Sequence, residues 1–205
     1  MKNSIYPILD IEFCNSNNIK VPELLSLWLN HPSLIDFIQL RAKNETDTEI
    51  KYYYEEIKRA FPNLKIIIND RWNLALELQS FGVHLGKEDF LKLNKIEKDR
   101  LKNIPIYKGT SSHCIEDVKN LDPSFWSYSG FGPIFPTNTK VTNNAILGVD
   151  KLKEAVKISK VPIVAIGGIN FENFTSVLET GVYKIASISL MSDKNMFERL
   201  ISNSR

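Results

Sequence analysis

Residues 161–190 read VPIVAIGGINFENFTSVLETGVYKIASISL. Two short apolar runs, 162–166 and 183–188, flank a segment with helix marks. Asn170 stands where an N-cap belongs, Phe174, Val177 and Leu178 form a buried stripe, and Gly181 supplies the stop. Neither apolar run alternates cleanly with polar residues. That is how a strand buried on both faces of a parallel sheet reads. This stretch therefore predicts strand, helix, strand, with a Gly-Gly turn leaving the first strand.

The same alternation extends along the chain. Strands are expected at 4–9, 34–40, 64–68, 82–85, 104–108 and 125–130, besides the two above. Between them, Thr46 and Glu49 form a capping box, and Ile50, Tyr53, Tyr54 and Ile57 follow at helical spacing. Weaker helical patterns cover 21–30, 72–80, 89–100, 114–120, 149–159 and 194–203. Eight strand–helix units in 205 residues predict an α/β fold, a single (β/α)8 TIM barrel spanning residues 1–205. A doubly wound open sheet is the rival. It usually carries a Gly-rich turn after its first strand, where this chain has Asp10-Ile11-Glu12.

Composition narrows the function. A net charge of +2 with scattered Lys and Arg argues against a nucleic-acid surface. Two cysteines, Cys14 and Cys114, make neither a disulfide framework nor a zinc spacing. The N-terminal apolar run is too short for a signal peptide, and no stretch has the length of a membrane span. A cytoplasmic enzyme acting on small molecules is expected, with an apolar outer helix face able to support a homo-oligomer.

A barrel places its chemistry at the C-terminal ends of its strands. Those ends read Gln39-Leu40-Arg41-Ala42-Lys43, Asn69-Asp70-Arg71, His84 to Asp89, Gly109 to His113, Gly167-Gly168 and Ser187-Ile188-Ser189. The sixth strand leaves through GPIFPTNTK, residues 132–140, which ends in Thr137, Thr139 and Lys140. Singly, each has an ordinary explanation: Asp70 and Asp89 as helix caps, Gly-Gly as a turn, Ser111 to His113 as a turn and cap. Together they converge on one rim. Arg41, Lys43 and Lys140 offer donors to phosphate oxygens. The turns after strands seven and eight suit a monophosphate, and Asp70 with Asp89 suits Mg²⁺ shared with substrate phosphates. No activated Ser or Cys nucleophile stands out.

Several of these segments, in this order, resemble the thiamine phosphate synthase family: IQLRAK, IIINDRWNLAL, GVHLGKED, GTSSH, GPIFPTNTK, VAIGGI and SISL. The resemblance runs from about residue 5 to 191. It implies a TIM barrel that joins a hydroxymethylpyrimidine diphosphate to a hydroxyethylthiazole phosphate, releasing pyrophosphate by a dissociative, Mg²⁺-assisted substitution. By that resemblance Gln39, Arg41, Lys43, Asn69 and Lys140 hold the diphosphate, and Ser111 lies near the reacting pyrimidine. Asp70 and Asp89 hold Mg²⁺. Thr137, Thr139, Gly168, Ile188 and Ser189 hold the thiazole phosphate. Arg41, Lys43, Lys140 and Ser111 form the catalytic group.

The chain departs from the family at Lys87, where Gln is usual, at Trp72 in place of a smaller aliphatic, and in SFWSYSG before strand six. Lys87 can compete with Mg²⁺ for Asp89 or add a diphosphate contact. Two other functions stay open: a thiazole tautomerase on the same barrel, with His113 as acid or base, and a non-catalytic binder of thiazole or thiamine phosphate. Residues 141–148 are a candidate flap.

Overall fold

The computed structural model describes residues 4–137, 139 and 144–203. Lys140 and residues 141–143 of the expected flap lie outside the described residues. Among these, eight strands run parallel and close in sequence order: β1 (Ser4–Asp10), β2 (Ile38–Arg41), β3 (Ile66–Asn69), β4 (Gly82–Leu85), β5 (Tyr107–Ser112), β6 (Tyr128–Phe131), β7 (Ile163–Ile166) and β8 (Lys184–Ser187). Closure is made by β1 against β8, with Ile5 opposite Ile185 and Tyr6 opposite Ala186. An open doubly wound sheet would leave two edges, so the barrel expectation holds and the rival falls.

Around the barrel lie α1 (Ile11–Ser16), α2 (Val21–Leu29), α3 (Asp47–Ala60), α4 (Trp72–Glu77), α5 (Lys87–Lys92), α6 (Lys95–Lys102), α7 (Ile115–Lys119), α8 (Gly148–Ile158), α9 (Phe174–Leu178), α10 (Ser189–Ser192) and α11 (Lys194–Asn203). The α3 capping box forms as read: Glu49 N–H donates to Thr46 Oγ1 at 3.3 Å, and Thr46 N–H to Glu49 Oε2 at 2.7 Å.

Three local expectations need correction. The helix expected at 89–100 is two helices, because Asn94 caps a new start by accepting from Glu97 N–H at 3.0 Å. Asn170 caps no helix. Its Oδ1 accepts from the N–H groups of Glu172 and Asn173, an Asx turn that competes with helix, and Asn173 becomes the N-cap of α9. The second, sixth and fifth strands begin at Ile38, Tyr128 and Tyr107 rather than at 34, 125 and 104, and the fifth continues through Ser112. Its hydroxyls are tolerated inside the sheet because Ser112 Oγ and Ser129 Oγ hydrogen-bond at 2.8 Å.

Side chains alternate across each strand with period two. One set, including Leu9, Ile38, Leu40, Ile66, Ile68, Val83 and Leu85, packs against helix residues such as Leu25, Trp28, Ile50 and Ile57. The other set, Tyr6, Ile8, Ile67, Tyr128, Val164 and Ala186, packs with Phe37 inside the barrel. At the N-terminal end the interior is closed by rings: Tyr6 and Phe37 have centroids 4.7 Å apart, and Phe37 and Tyr107 5.4 Å. Lys184 is buried there, paired with Asp36 and 5.3 Å over the Phe37 ring. A closed floor leaves the C-terminal end as the opening.

Candidate active site

Interior positions near the C-terminal strand ends line a cleft: Gln39 and Arg41 from β2, Asn69 from β3, His84 from β4, Ser111 from β5 and Ile166 from β7. Their period-two spacing within each strand is why they share a face. The β6 loop contributes Thr137 and Thr139, the β7 loop Gly168, and the end of β8 Ile188 and Ser189. A second recess adjoins the cleft and is lined by Lys43, Asp70, Glu88, Asp89 and Lys92. Arg41, Asn69, His84, Ser111 and His113 border both. Every expected site residue among the described ones thus lines the cleft or the recess; Lys140 lies outside the described residues.

The ordinary explanations for the carboxylates do not apply. Helix α4 has Arg71 as its N-cap with no side-chain cap bond, so Asp70 caps nothing. Asp70 has φ 60°, a left-handed conformation that costs a residue with a Cβ roughly 1–2 kcal/mol. Its N–H donates to His84 O at 2.8 Å, which carries the β3–β4 pairing one residue further. Its Oδ2 accepts from Asn69 Nδ2 at 2.7 Å and lies 3.4 Å from Lys43 Nζ. Asp89 sits in the first turn of α5, whose N-cap is Gly86, and pairs with Lys92 at 2.9 Å.

Arg41 is not a solvated charge. Its guanidinium pairs with Asp10, which is 3% exposed and also caps α1 by accepting from Phe13 N–H at 2.9 Å. Gln39 is equally buried, and its Nε2 donates to the Tyr6 hydroxyl at 2.8 Å.

Lys87 does not pair with Asp89. Its ammonium donates to Asp117 Oδ1 at 2.6 Å, while Asp117 Oδ2 accepts from His113 N–H at 2.8 Å. Burial would raise the Asp117 carboxyl, but the Lys87 ammonium and the His113 N–H hold it below its ordinary value. The His113 ring then hydrogen-bonds Gly132 O through Nδ1 at 2.8 Å. A continuous clasp therefore joins the loops after β4, β5 and β6. Asp89 is left to Lys92. Trp72 is buried against the barrel, with the Arg100 guanidinium 5.6 Å from its ring centroid.

The Gly-Pro loop after β6 is bound to the β7 loop. Ile134 N–H donates to Ile166 O, and Phe135 N–H to Gly167 O, each at 3.0 Å. Gly168 has φ 66°, and a Cβ there would meet Pro136 O at 2.4 Å. Only glycine lets the two loops approach this closely. Asn173 Nδ2 donates to Gly168 O at 3.0 Å and fixes the turn from the other side.

Sequence reading missed Asp10 and Tyr6 as members of the site, and placed His84 on the rim without giving it a role. Their signal was a polar group at an interior position of an otherwise apolar strand. The destination of that group becomes visible only when neighbouring strands are placed.

A family model described as thiamine monophosphate synthase matches residues 5–191. A thiamine-phosphate synthase of Persephonella marina is 40% identical over 167 residues, covering 78% of this chain and 77% of that protein. One from Koribacter versatilis is 35% identical over 157 residues, covering 76% and 72%. The structure called thiamine phosphate pyrophosphorylase from Pyrococcus furiosus superposes with a TM-score of 0.74 at 28% identity, covering 99% of this chain and 97% of that one. A match that extends from β1 past the end of β8 takes in every strand end described above: this chain belongs to the thiamine monophosphate synthase family.

Proposed function

We propose that this enzyme is a transferase of thiamine biosynthesis, condensing a hydroxymethylpyrimidine diphosphate with hydroxyethylthiazole phosphate to give thiamine phosphate and pyrophosphate. One observation carries the reading. A cleft walled by Gly- and hydroxyl-bearing loops adjoins a recess of carboxylates and ammonium groups, and Arg41, Asn69 and Ser111 border both. Two anionic substrates can meet across that shared wall.

The recess suits Mg²⁺ by its donor chemistry. Asp70, Glu88 and Asp89 offer hard oxygen atoms. Among the described residues no group of three or more His, Cys, Asp or Glu side chains converges to cage a metal. Carboxylates that complete their shell with substrate phosphates and water fit that pattern. Asp70 and Asp89 would hold the ion, which when bound neutralises diphosphate oxygens. Lys43 and Lys92, which now pair with these carboxylates, would turn to the diphosphate.

Gln39, Arg41, Lys43, Asn69 and Lys140 bind the departing diphosphate, and the cationic side chains stabilise the charge that develops on it. Ser111 orients the pyrimidine. Thr137, Thr139 and the backbone N–H groups of Gly168, Ile188 and Ser189 hold the thiazole phosphate so that its ring nitrogen faces the methylene left behind. The chain supplies position and field, with no covalent intermediate.

The test is purified protein with Mg²⁺ and both substrates, following thiamine phosphate and pyrophosphate, with a chelator control. Chelator-sensitive formation of both products is expected, and Asp70→Asn and Asp89→Asn should each remove most of it. Near wild-type turnover in both variants sinks the metal assignment. Absence of product from folded protein with intact substrates favours a thiazole tautomerase.

A further inference from the structure

The barrel interior holds a line of hydrogen bonds contributed by five strands. Gln39 Nε2 donates to Tyr6 Oη at 2.8 Å, and Tyr6 Oη lies 2.7 Å from Tyr128 Oη. Tyr128 Oη is 3.0 Å from His84 Nδ1, and His84 Nε2 is 3.0 Å from Ser111 Oγ. Both phenols are fully buried, and burial holds both hydroxyls protonated by raising their pKa values well above the ordinary tyrosine range.

The placement of the Gln39 amide, with Nε2 toward Tyr6, gives the line a direction. The amide N–H of Gln39 can only donate. With Tyr6 accepting from it, the Tyr6 hydrogen points to Tyr128 and the Tyr128 hydrogen to His84 Nδ1. The imidazole then carries its proton on Nε2 and donates to Ser111. The Ser111 oxygen, already an acceptor, is left with its own hydrogen to give to the cleft. With the opposite amide orientation each link reverses, and Ser111 spends its hydrogen on His84. The two arrangements therefore differ in what the cleft sees at Ser111.

We propose that Tyr6, Tyr128 and His84 are positioning residues forming a one-way relay, with His84 held as the Nε2–H tautomer and Ser111 presented to substrate as a hydrogen-bond donor. The ligand atom opposite Ser111 is then an acceptor. That Ser111 meets the pyrimidine substrate rests on the synthase reading; the relay itself does not. The packing is built for this line. A Cβ at Gly109 would fall 2.1 Å from Tyr128 Cζ, so the ring can lie across β5 only because residue 109 is glycine. Tyr128 is further held by edge contact with Tyr6, at 5.7 Å between centroids, and by stacking on Tyr107, at 5.4 Å.

The experiment is a two-bond ¹H–¹⁵N correlation spectrum of histidine-labelled full chain without substrates. The three histidines are assigned with His31→Gln and His113→Gln. A neutral Nε2–H ring is expected for His84. An Nδ1–H ring or a doubly protonated one overturns the relay. Tyr128→Phe removes the hydroxyl that bonds Nδ1, so His84 should become a mixture of tautomers, and kcat should fall about tenfold with the diphosphate KM within about twofold. An unchanged spectrum in that variant also overturns the proposal. The wild-type spectrum needs no variant, so it decides the matter even if Tyr128→Phe does not fold. An Nε2–H ring in a chain with no synthase turnover would sink the synthase reading and leave the relay standing.

Discussion

Replacing Arg41 by Ala tests whether this residue serves the fold as well as the substrate. The substitution leaves the Asp10 carboxylate inside the protein with its counterion removed; the two side chains are 14% and 4% exposed. Breaking a buried pair by deleting one partner costs about 3–5 kcal/mol, mostly from the charge left behind. Asp10 keeps the Phe13 N–H and the N-terminal end of α1, both of which favour an anion. That places the expected loss at the lower end, about 3 kcal/mol. Asp10→Asn removes the charge while keeping an oxygen for Phe13 N–H. The double variant Asp10→Asn/Arg41→Ala should therefore be more stable than Arg41→Ala alone by about 2 kcal/mol. Urea unfolding followed by tryptophan fluorescence measures this directly, because Trp28, Trp72 and Trp126 are all buried. A loss below about 1 kcal/mol for Arg41→Ala, or a double variant as unstable as the sum of the singles, would refute the reasoning. Turnover separates the roles: both chains lacking Arg41 should lose diphosphate affinity, including the one whose stability has been restored.

Other perturbations follow from the same contacts. Gly168→Ala forces a Cβ onto the Pro136 carbonyl at a left-handed φ, so stability should fall by about 2–4 kcal/mol and the thiazole phosphate KM should rise more than the diphosphate KM; unchanged values for both would show that the loops yield freely. Lys87→Gln opens the clasp to Asp117 and should cost no more than about 1 kcal/mol, since the lysine is substantially exposed. Hydrogen bonding to Asp117 raises the Lys87 pKa, so that contribution is complete below the ordinary lysine value of 10.5 and is lost as pH climbs through the folded value above it. The Asp117 pKa is lowered, so its share is present above 3.8 and is lost as pH falls through the folded value beneath it. The stability gap between wild type and Lys87→Gln should thus be flat through neutral pH and shrink at both extremes; a gap that peaks outside that window would contradict the pairing. Burial pushes the Cys14 thiol up to about 11 while Cys114 is exposed, so a thiol reagent at neutral pH should modify Cys114 alone in the folded chain and both after unfolding.

The alternation of short apolar runs with capped helical segments was legible because both signals are local. A strand buried on two faces advertises itself by composition, and a capping box such as Thr46 with Glu49 closes within a single turn. The rim was legible for a geometric reason: in a parallel barrel every strand ends on the same side, so residues at strand ends meet whatever their separation in sequence. Local signals failed where a side chain closed a turn instead of a helix: Asn170 accepts from the N–H groups of Glu172 and Asn173, and α9 begins only after Asn173.

Which partner each polar side chain takes was decided only by the tertiary structure. Lys87 lies two residues from Asp89 yet reaches Asp117, because the loops after β4 and β5 are adjacent in the closed barrel while side chains at i and i+2 on α5 point apart. Arg41 meets Asp10 because β1 pairs with β2 in a register that sets those two residues opposite each other. The relay from Gln39 to Ser111 needs five strands at once. Periodicity along a chain specifies the face on which a side chain lies, whereas the atom it bonds depends on strand register, barrel curvature and the exclusion of water, all of which arise when the sheet closes.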